Sequence, residues 1–267
     1  MSANIDYVAT NKALWNEKTK HHVTSDFYRN ERFMAGATSL NDLELGLLGD
    51  VQGKSILHLQ CHFGQDSLSL ARMGAKVTGI DLSDAAIAQA RKMNDELGLD
   101  AEFICTDIFK LPEVLDRQFD IVFTSYGTIC WLPDMAKWAA IVGKYVKQGG
   151  MFIFAEFHPA LWMFDNHFKY IQYSYFNKQE IQEVESGTYA DQDAPINLNS
   201  VTWNHDQAEV IQNLLDQQLK LVKFAEYDYS PYACFPETVE IAPRKYQIPG
   251  MEGKLPMVYA LKMIKSN

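Results

Sequence analysis

Polar residues follow several short apolar runs of the sequence, and their types suit ligand binding and proton transfer. Asp81 and Asp107 each follow a short run rich in apolar residues, and His158 follows a longer one. A carboxylate accepts hydrogen bonds from the hydroxyl or amino groups of a ligand. An imidazole takes up or releases a proton near neutral pH. These residues predict a site for a polar organic ligand if the fold brings the ends of the runs together.

The apolar runs alternate with segments of helical spacing. The β-compatible runs cover 54–60, 75–80, 101–105, 119–124 and 151–156, and the helical segments cover 67–73, 85–97 and 135–146. This alternation predicts a parallel, doubly wound α/β sheet. Such sheets bind ligands at the carboxyl ends of their strands, near the point where strand order reverses. The residues to examine are therefore 60–64, Asp81, Asp107, 124–126 and 156–159.

The regular alternation stops after residue 160. Residues 161–200 show no clean period and contain Pro195 with several Asn and Asp, which predicts an irregular lid or insertion. A helix is predicted over 205–218, followed by β-rich runs at 219–229 and 255–264. We expect these two runs to form an antiparallel pair at the edge of the sheet.

The acidic charge of the sequence is concentrated in one stretch. The 267 residues carry a formal charge of −10, and residues 161–240 contain thirteen acidic but only four basic side chains. The same stretch holds fourteen aromatic residues. An acidic, aromatic face repels a phosphate backbone, which argues against a DNA or RNA substrate. Two interpretations stay open: the stretch receives a substrate, or it is a solvated acidic surface over an aromatic core.

Composition predicts a soluble, cytoplasmic protein without a metal site. No window approaches the roughly 20 apolar residues that cross a bilayer, and residues 1–20 lack the apolar stretch of a signal peptide. The histidines show no metal-ligand spacing, and the cysteines form no C-x-x-C pair. Free thiols in a reducing compartment are therefore expected rather than disulfides. The cysteines are Cys61, Cys105, Cys130 and Cys234.

The first strand, turn and helix resemble the opening motif of class I S-adenosylmethionine-dependent methyltransferases, and the next strand resembles their second motif. The resemblance is carried by Ile56–Gly64 and Val77–Ser83, with further matches at 106–108, 119–122 and 149–150. The string Leu-His-Leu-Gln-Cys-His-Phe-Gly-Gln-Asp is similar to an uncharacterised bacterial branch with small-molecule-type architecture. The resemblance implies a Rossmann-like, mostly parallel seven-stranded sheet with an antiparallel C-terminal strand, an inserted lid and S-adenosylmethionine as cofactor.

The turn after the first strand departs from the family pattern. His58 stands where the family has Asp or Glu, and Gln60 and His62 replace two of its glycines, so that only Gly64 keeps its place. Glycine lets backbone amides approach a ligand without a Cβ atom. We therefore expect the cofactor to lie slightly differently here, with the Gln60 amide next to the methionine carboxylate.

The shape of the cofactor implies a role for each residue of the resemblance. Asp81 would accept both hydrogen bonds of the ribose diol. The adenine would lie among Leu82, Asp107 and Ile108, although a carboxylate after a strand is also a common helix cap. The methionine end would lie against the first turn and the backbone after the fourth strand, at Gln60, Cys61, Gly64 and Ser125.

Methyl transfer from a sulfonium mainly requires an acceptor held in line with the methyl carbon in a water-poor site. An oxygen or protonated nitrogen acceptor also needs a base. His158 is the candidate base by position, and its alternative role is a hydrogen bond within its own loop. Tyr126 is the candidate for orienting the acceptor or contacting the cofactor. His62 is expected to pack or to orient the cofactor rather than to transfer protons.

Four functional regions are predicted along the chain. They are a helical leader over the cofactor cleft at 1–50, a cofactor-binding core at 51–160, a lid on the acceptor side at 161–204, and the C-terminal part of the sheet at 205–267. In the leader, Trp15, Tyr28 and Phe33 either close the pocket or only dock the leader onto the core. The first interpretation makes Tyr28 a cofactor-binding residue.

The predicted function is an S-adenosylmethionine-dependent methyltransferase that acts on a small organic acceptor. One alternative is a non-catalytic protein that binds S-adenosylmethionine or S-adenosylhomocysteine, which the altered first motif favours. Another is an oxidoreductase that binds a nicotinamide dinucleotide in the same cleft. The sequence lacks the Gly-x-Gly-x-x-Gly turn that such a dinucleotide site uses.

Overall fold

The computed structural model describes residues 5–165 and 167–266. Residues 1–4 of the predicted leader, residue 166 of the predicted lid and residue 267 lie outside the described residues. The helices are α1 (Tyr7–His22), α2 (Asn30–Met34), α3 (Asp42–Leu48), α4 (Gln65–Arg72), α5 (Asp84–Glu96), α6 (Leu111–Val114), α7 (Met135–Tyr145) and α8 (Gln207–Leu215). The strands are β1 (Ser55–His58), β2 (Lys76–Asp81), β3 (Glu102–Cys105), β4 (Phe119–Ser125), β5 (Val146–Phe157), β6 (Ile181–Ser186), β7 (Asn197–Thr202), β8 (Leu219–Tyr227), β9 (Val239–Ala242), β10 (Lys245–Gln247) and β11 (Val258–Lys265).

Seven strands form one sheet in the order β3-β2-β1-β4-β5-β11-β8. Strand β2 is parallel to β1 and β3, and β4 is parallel to β5. Strand β11 is antiparallel to both β5 and β8. The strand order runs outward from β1 in both directions, which is the doubly wound arrangement. The predicted mostly parallel, seven-stranded sheet with an antiparallel C-terminal strand is therefore confirmed.

The chain divides into two compact units by its internal contacts. Unit 1 consists of the residues up to 39, residues 51–116 and residues 180–202, and contains β1 to β3 with the hairpin of β6 and β7. Unit 2 consists of residues 40–50, residues 117–179 and the residues from 203 onward, and contains β4, β5, β8 and β11. The four regions predicted from the sequence group residues by function rather than by contacts, and they stay a prediction.

The strand ends of unit 1 are set by local turn and capping residues. Ile56 and Leu57 are fully buried at consecutive positions of β1, as expected for a strand covered on both faces. Helix α4 begins directly after Gly64. Helix α5 begins where the Ser83 hydroxyl accepts a 3.0 Å hydrogen bond from the Ala86 N–H. The chain therefore turns into a helix immediately after each of the first two strands.

Unit 2 is held by a cluster of aromatic rings on β5, β11 and α7. The rings of Phe152 and Phe154 stack with centroids 5.8 Å apart, and Trp138 lies 5.4 Å from Phe154. Tyr259 packs edge-on against Phe154 at 5.6 Å. All four side chains are fully buried. This cluster fixes the part of β5 that leads to Glu156 and His158.

Residues 161–200 are more regular than the sequence predicts, because they contain most of an antiparallel hairpin. Strands β6 and β7 pair from Ile181 with Thr202 to Ser186 with Asn197. Most of β6 is exposed on both faces, so its sequence shows no two-residue hydrophobic period. Asn11 of α1 fastens the hairpin, since its side chain accepts from the Val201 N–H at 2.9 Å and donates to the Val201 carbonyl at 2.8 Å.

Three findings bear on the class of protein. Among the described residues, no helix combines the length and the apolar character that crossing a membrane requires. Over the same parts of the chain, no group of three or more His, Cys, Asp or Glu side chains is arranged to hold a metal ion. The four cysteines are free thiols.

Candidate functional site

The turn after β1 keeps a glycine-type backbone although two of its residues are not glycine. Gln60 has φ +53°, His62 has φ +50° and Gly64 has φ +84°. These are the positions where the resemblance places glycines. A non-glycine residue costs roughly 1–2 kcal/mol in this conformation. The turn therefore has the backbone shape that the resemblance implies, and Gln60 and His62 add side chains to it at an energetic cost.

Neighbouring side chains leave no room for a Cβ atom at Gly64, whose backbone is also in the left-handed region. A Cβ atom at this position would lie 2.8 Å from the Phe103 ring and 2.9 Å from the Ala90 side chain. Cys61, which is buried in the same turn, donates its N–H to the Ile80 carbonyl at 2.8 Å. Burial raises the pKa of the Cys61 thiol, so it is protonated at neutral pH. The turn is thus packed tightly against β2, β3 and α5.

Asp81 joins the turn to the start of α5. Its Oδ2 accepts a 2.8 Å hydrogen bond from the His62 N–H, and its Oδ1 accepts one of 2.8 Å from the Ser83 N–H. Burial raises the pKa of Asp81 to about 6, and these backbone amides act in the opposite direction. Each carboxylate oxygen has a second acceptor position. Asp81 can therefore hold the turn and still accept hydrogen bonds from two ligand hydroxyls.

The residues predicted to surround an adenine lie next to Asp81. Strands β2 and β3 pair in register at Asp81 and Cys105, and the Cys105 thiol donates to the Leu82 carbonyl at 3.5 Å. Asp107 follows β3 and caps a 3₁₀ turn by accepting from the Phe109 N–H at 3.0 Å. Ile108 is buried in that turn. The structure therefore brings four predicted cofactor residues together at one end of β2 and β3, and Asp107 also has the capping role that was its alternative.

Helix α1 is fastened to the chain directly after Asp81. The Asn16 side-chain oxygen accepts from the Ser83 hydroxyl at 2.7 Å, and its amide donates to Asp84 at 3.0 Å. Lys12 forms an ion pair with Asp84 at 2.9 Å. These contacts hold the leader helix beside the strand end that carries the ribose-binding candidate.

The aromatic residues of the leader have different surroundings. Phe33 is buried in the core cluster of Cys61 and Phe103, which is a docking position. Tyr28 lies 5.6 Å from the His62 ring and forms a 2.5 Å hydrogen bond with the hydroxyl of Tyr189. Trp15 lies 5.3 Å from the His62 ring. Trp15 and Tyr28 therefore lie against the His62 side chain of the turn, as a pocket-closing role requires, whereas Phe33 is part of the buried core.

His22, which is buried, and His62, which is half-buried, form a hydrogen-bonded pair between α1 and the turn after β1. His22 Nδ1 lies 2.9 Å from His62 Nε2, so one ring donates a hydrogen bond to the other. Burial, followed by the neighbouring His62 and Lys18, lowers the pKa of His22 to about 2. Burial and Lys18 lower the pKa of His62 to about 3. Both rings are therefore neutral at physiological pH. Forty positions separate them, so residue spacing could not have revealed the pair.

His58 occupies the position of the acidic residue in the family pattern. It is buried, and its Nδ1 lies 2.8 Å from the Ser67 hydroxyl of α4. Burial lowers the pKa of His58 to about 3, so the ring is neutral. The carboxylate of the family pattern is thus replaced by an uncharged group that is hydrogen-bonded to the helix after the turn.

In unit 2, a buried carboxylate fixes the turn after β4. Glu156 Oε1 accepts from the N–H groups of Gly127 and Phe157, and Oε2 accepts from the Thr128 N–H at 2.8 Å. Burial raises the pKa of Glu156, and the backbone amides oppose that shift. The sequence predicts only that Glu156 lies at the end of a strand, and its position there is the one local signal of its role.

The turn that Glu156 organises carries two predicted residues. Ser125 ends β4, and Tyr126 adopts φ +40° while its N–H donates to the Ala155 carbonyl at 2.7 Å. The Tyr126 ring lies 5.6 Å from Phe157 and 5.3 Å from Tyr232. Tyr126 is therefore held in a strained backbone conformation, which is common at functional sites.

Both ring nitrogens of His158 are engaged within unit 2. Nδ1 accepts from the Ala160 N–H at 3.1 Å, and Nε2 lies 2.9 Å from Glu226 Oε1. Because Nδ1 is an acceptor, Nε2 carries the hydrogen and donates it to the carboxylate. Burial lowers the pKa of His158, and Glu226 opposes this shift. His158 has the loop-bonding role that was its alternative, and it needs to release the Ala160 N–H to take up a proton at Nδ1.

The residues of unit 1 fit S-adenosylmethionine. Three features lie at the ends of consecutive strands. They are the tightly packed left-handed turn at Gly64, the Asp81 carboxylate with its unused acceptor positions, and the buried apolar side chain of Ile108. These are the groups that a methionine chain, a ribose diol and an adenine require.

A family model described as a methyltransferase domain matches residues 56–150. The ubiquinone biosynthesis O-methyltransferase of Nitrosococcus oceani is 33% identical over 114 residues, which are 42% of this chain and 48% of that protein. The protein of the same name from Pseudomonas entomophila is 34% identical over 103 residues, which are 39% of this chain and 44% of that protein. The chain therefore spans about half the length of the curated relatives it matches.

Solved structures show the same fold over most of the chain. An S-adenosylmethionine-dependent methyltransferase from Mesorhizobium loti covers 86% of this chain and 99% of its own, with a TM-score of 0.56 and 18% identity. Magnesium protoporphyrin IX methyltransferase from Synechocystis PCC 6803 with bound SAH covers 98% of this chain and 100% of its own, with a TM-score of 0.56 and 13% identity. Residues 56–150 thus match a methyltransferase-domain family, and the chain has the fold of the solved S-adenosylmethionine-dependent methyltransferases.

Proposed function

We propose that the chain transfers a methyl group from S-adenosylmethionine to a small-molecule acceptor by in-line displacement. The observation that carries the proposal is the hydrogen bond that joins the left-handed turn at His62 to the Asp81 carboxylate. The bound cofactor supplies a methyl group that is already activated for displacement. The residues of the chain then need to bind, to orient the reactants and to exclude water.

The proposed cofactor contacts follow the strand ends. Asp81 accepts hydrogen bonds from the ribose diol while it keeps its bonds to the His62 and Ser83 amides. Leu82, Asp107 and Ile108 surround the adenine. The methionine end lies along the turn after β1, and Tyr28 closes the cofactor side. The residues proposed for the methionine end are Gln60, Cys61 and Gly64, and Ser125 stays a proposal from its position at the end of β4.

His158 and Tyr126 are proposed for the acceptor side. His158 takes up a proton at Nδ1 once the Ala160 N–H is released, while Glu226 holds Nε2–H and orients the ring. Tyr126 is fixed by its bond to Ala155 and by the turn that Glu156 holds, so that its ring can orient an acceptor. The support for both roles is their position after β5 and β4.

The proposed acceptor is a small molecule that presents an oxygen. Both relatives named above are O-methyltransferases by name, which supports oxygen as the acceptor atom. The acidic residues of 161–204, proposed as a lid, favour a neutral or cationic molecule and disfavour nucleic acid. Four free thiols support a reducing, cytoplasmic location.

A second candidate function is binding of the cofactor or its product without turnover. Two observations favour it: Gln60 and His62 stand in place of glycines, and both nitrogens of His158 are hydrogen-bonded. A protein of this kind would use the same turn and the same carboxylate for sensing or complex assembly.

Calorimetric titration with S-adenosylmethionine, followed by an acceptor screen, tests both functions. Binding of the cofactor and transfer of its labelled methyl group to any hydroxyl, amine or thiol compound in the screen establishes the first function. Binding without transfer to any acceptor supports the second. Absence of binding at millimolar cofactor contradicts both.

A further inference from the structure

The outer nitrogens of the His22–His62 pair have no partner in the described part of the chain. The inner nitrogens share one proton across 2.9 Å. His22 Nε2 and His62 Nδ1, on the far sides of the two rings, are buried and make no hydrogen bond to any described residue. Buried polar atoms in folded proteins are nearly always hydrogen-bonded. These two atoms therefore indicate partners supplied from outside the chain.

The positions of the protons on a neutral pair are limited. Each neutral imidazole carries one N–H. Whichever ring donates the shared proton, one outer nitrogen is bare and the other carries a hydrogen. A proton that enters at the bare nitrogen can displace the shared proton to the other ring and release the hydrogen at the far side. Both rings then remain neutral, and only their tautomers have changed.

The groups around His22 and His62 disfavour a positive charge on either ring. The rings of Tyr28 and Tyr189 lie 5.2 Å and 4.8 Å from His22, and Trp15 lies 5.3 Å from His62. Lys18 faces the pair from α1, where its ammonium group is paired with Glu185 of β6. His21, on the same helix, is the other titratable group that acts on His22. An enclosed pair next to a cation passes a proton on more readily than it holds one.

We propose that His22 and His62 form a proton relay for a methyl acceptor that carries a hydroxyl group. The proposal rests on the proposed function, since His62 belongs to the turn assigned to the methionine end of the cofactor. The backbone N–H of His62 is also held by Asp81, the proposed ribose ligand. An acceptor hydroxyl beside this turn donates its hydrogen bond to His62 Nδ1. This assignment differs from the sequence-based expectation that His62 only packs or orients the cofactor, and it makes the pair the base for a hydroxyl acceptor in place of His158.

The relay balances protons and bonds in one step. The acceptor oxygen forms its bond to the methyl carbon while the carbon–sulfur bond breaks and its electron pair stays on sulfur. The hydroxyl proton passes to His62 Nδ1, the shared proton passes from His62 Nε2 to His22 Nδ1, and the proton on His22 Nε2 passes to a water molecule, which the proposal places at this buried nitrogen, unpartnered among the described residues. The reverse movement, with water as proton donor and acceptor, restores the first tautomers after the product leaves.

The groups near His22 and His62 indicate which class of methyl acceptor the relay would serve. Lys18 repels an ammonium group, and a carboxylate has no proton to give near neutral pH. A thiol ionises near neutral pH without a base at the site. A hydroxyl group is therefore the acceptor that gains most from the relay.

Nitrogen NMR of the wild-type protein tests the relay without turnover. The protein labelled with ¹⁵N at its histidines is studied alone, with S-adenosylhomocysteine, and with S-adenosylhomocysteine plus catechol as the hydroxyl probe. We expect both rings to be neutral from about pH 5 to pH 8. We also expect catechol to move the His62 Nδ1 resonance and to leave His21 unchanged. A ring that titrates in this range, or a resonance that catechol does not move, overturns the relay.

Matched variants test the relay during methyl transfer. His62→Phe and His22→Phe keep a ring but remove the nitrogens, and His21→Phe is the control on the same helix. We expect the two pair variants to lower kcat for catechol by about 100-fold or more, since this is the range of acid–base catalysis. The KM for S-adenosylmethionine and the rate with thiophenol should change by less than about threefold, as the thiolate needs no relay. His21→Phe should retain both rates.

The outcomes separate this inference from the proposed function. Equal losses with catechol and thiophenol would show that the pair only supports the fold, which overturns the relay while methyl transfer stands. Failure of the wild-type protein to bind S-adenosylhomocysteine by calorimetry would contradict the proposed function and the relay with it. If the phenylalanine variants do not fold, His62→Asn and His22→Asn take their place. The nitrogen spectra of the wild-type protein test the relay independently of all these variants.

Discussion

Asp81 Oδ2 accepts a 2.8 Å hydrogen bond from the backbone N–H of His62, so the carboxylate at the end of β2 holds the turn after β1. The other carboxylate oxygen holds the Ser83 N–H at the start of α5. One side chain therefore connects the two motifs that carry the resemblance to the methyltransferase family. His62 keeps a left-handed backbone within this arrangement, at φ +50°.

The packing of Gly64 gives the first prediction. Gly64→Ala places a Cβ atom against Phe103 and Ala90 and also puts alanine at φ +84°. We expect a loss of about 2–5 kcal/mol in the free energy of unfolding, from backbone strain together with overpacking. Urea denaturation followed by circular dichroism measures it.

Gly98→Ala is the matched control for this substitution. Gly98 has φ +61° and no atom within 4 Å of its Cβ position, so only the backbone cost of about 1–2 kcal/mol applies. Equal losses for the two variants would show that Phe103 and Ala90 do not confine the turn.

Three histidines with lowered pKa values predict a loss of stability in acid. The pKa values of His22, His58 and His62 are lowered to about 2, about 3 and about 3 in the folded chain. The unfolded chain therefore binds more protons below about pH 6.5, and the stability present above that pH is lost as the pH falls. Asp81 and Glu156, whose pKa values are raised, bind protons first in the folded chain and offset part of the loss.

As a net effect of these groups, the free energy of unfolding should fall by about 1–3 kcal/mol per pH unit between about pH 6 and pH 4. Denaturant titrations across this range measure the slope. His58→Asn removes one of the three histidines that bind a proton on unfolding. The free energy of unfolding of this variant should therefore change less steeply with pH, by about 1.4 kcal/mol per pH unit. A variant slope equal to that of the wild-type protein would contradict the low pKa of His58.

The hydrogen bonds of Glu156 give a third prediction. Glu156→Gln keeps the size of the side chain but places an amide NH₂ group among the N–H groups of Gly127, Thr128 and Phe157. We expect the free energy of unfolding to fall by about 2–4 kcal/mol, because buried donors lose their acceptor. Thermal and urea unfolding both measure this change. Glu113→Gln, at an exposed position, should be nearly neutral, and comparable losses in the two variants would argue against the role of Glu156.

The sequence was most informative where a polar residue ends an apolar run. Asp81 and Asp107 were expected at adjacent strand ends, and β2 and β3 place them there. Gln60 and His62 were noted as replacements of glycine, and their positive φ values show that the backbone kept the glycine shape. The sequence predicts these positions because the turn and the strands beside it are formed by residues that lie close together in the chain.

Two features depended on contacts between distant residues and left no local pattern. The hairpin of β6 and β7 is mostly polar on both faces, and its support comes from Asn11 of α1, which the sequence separates by 190 positions from Val201. The pairing of His22 with His62 likewise requires α1 to lie against the turn. Neither position has a hydrophobic period or a ligand spacing that predicts its partner.

Calorimetric titration of S-adenosylmethionine into the wild-type protein and into Asp81→Asn tests whether the carboxylate at the end of β2 binds the cofactor. Asp84→Asn is the control, because Asp84 is an exposed carboxylate three positions further that pairs with Lys12. We expect binding to the wild-type protein, affinity within about twofold for Asp84→Asn, and affinity lower by about 5- to 150-fold for Asp81→Asn, which corresponds to about 1–3 kcal/mol from charged hydrogen bonds. Absence of binding to the wild-type protein, or equal affinity for folded Asp81→Asn, would show that Asp81 is not a cofactor ligand.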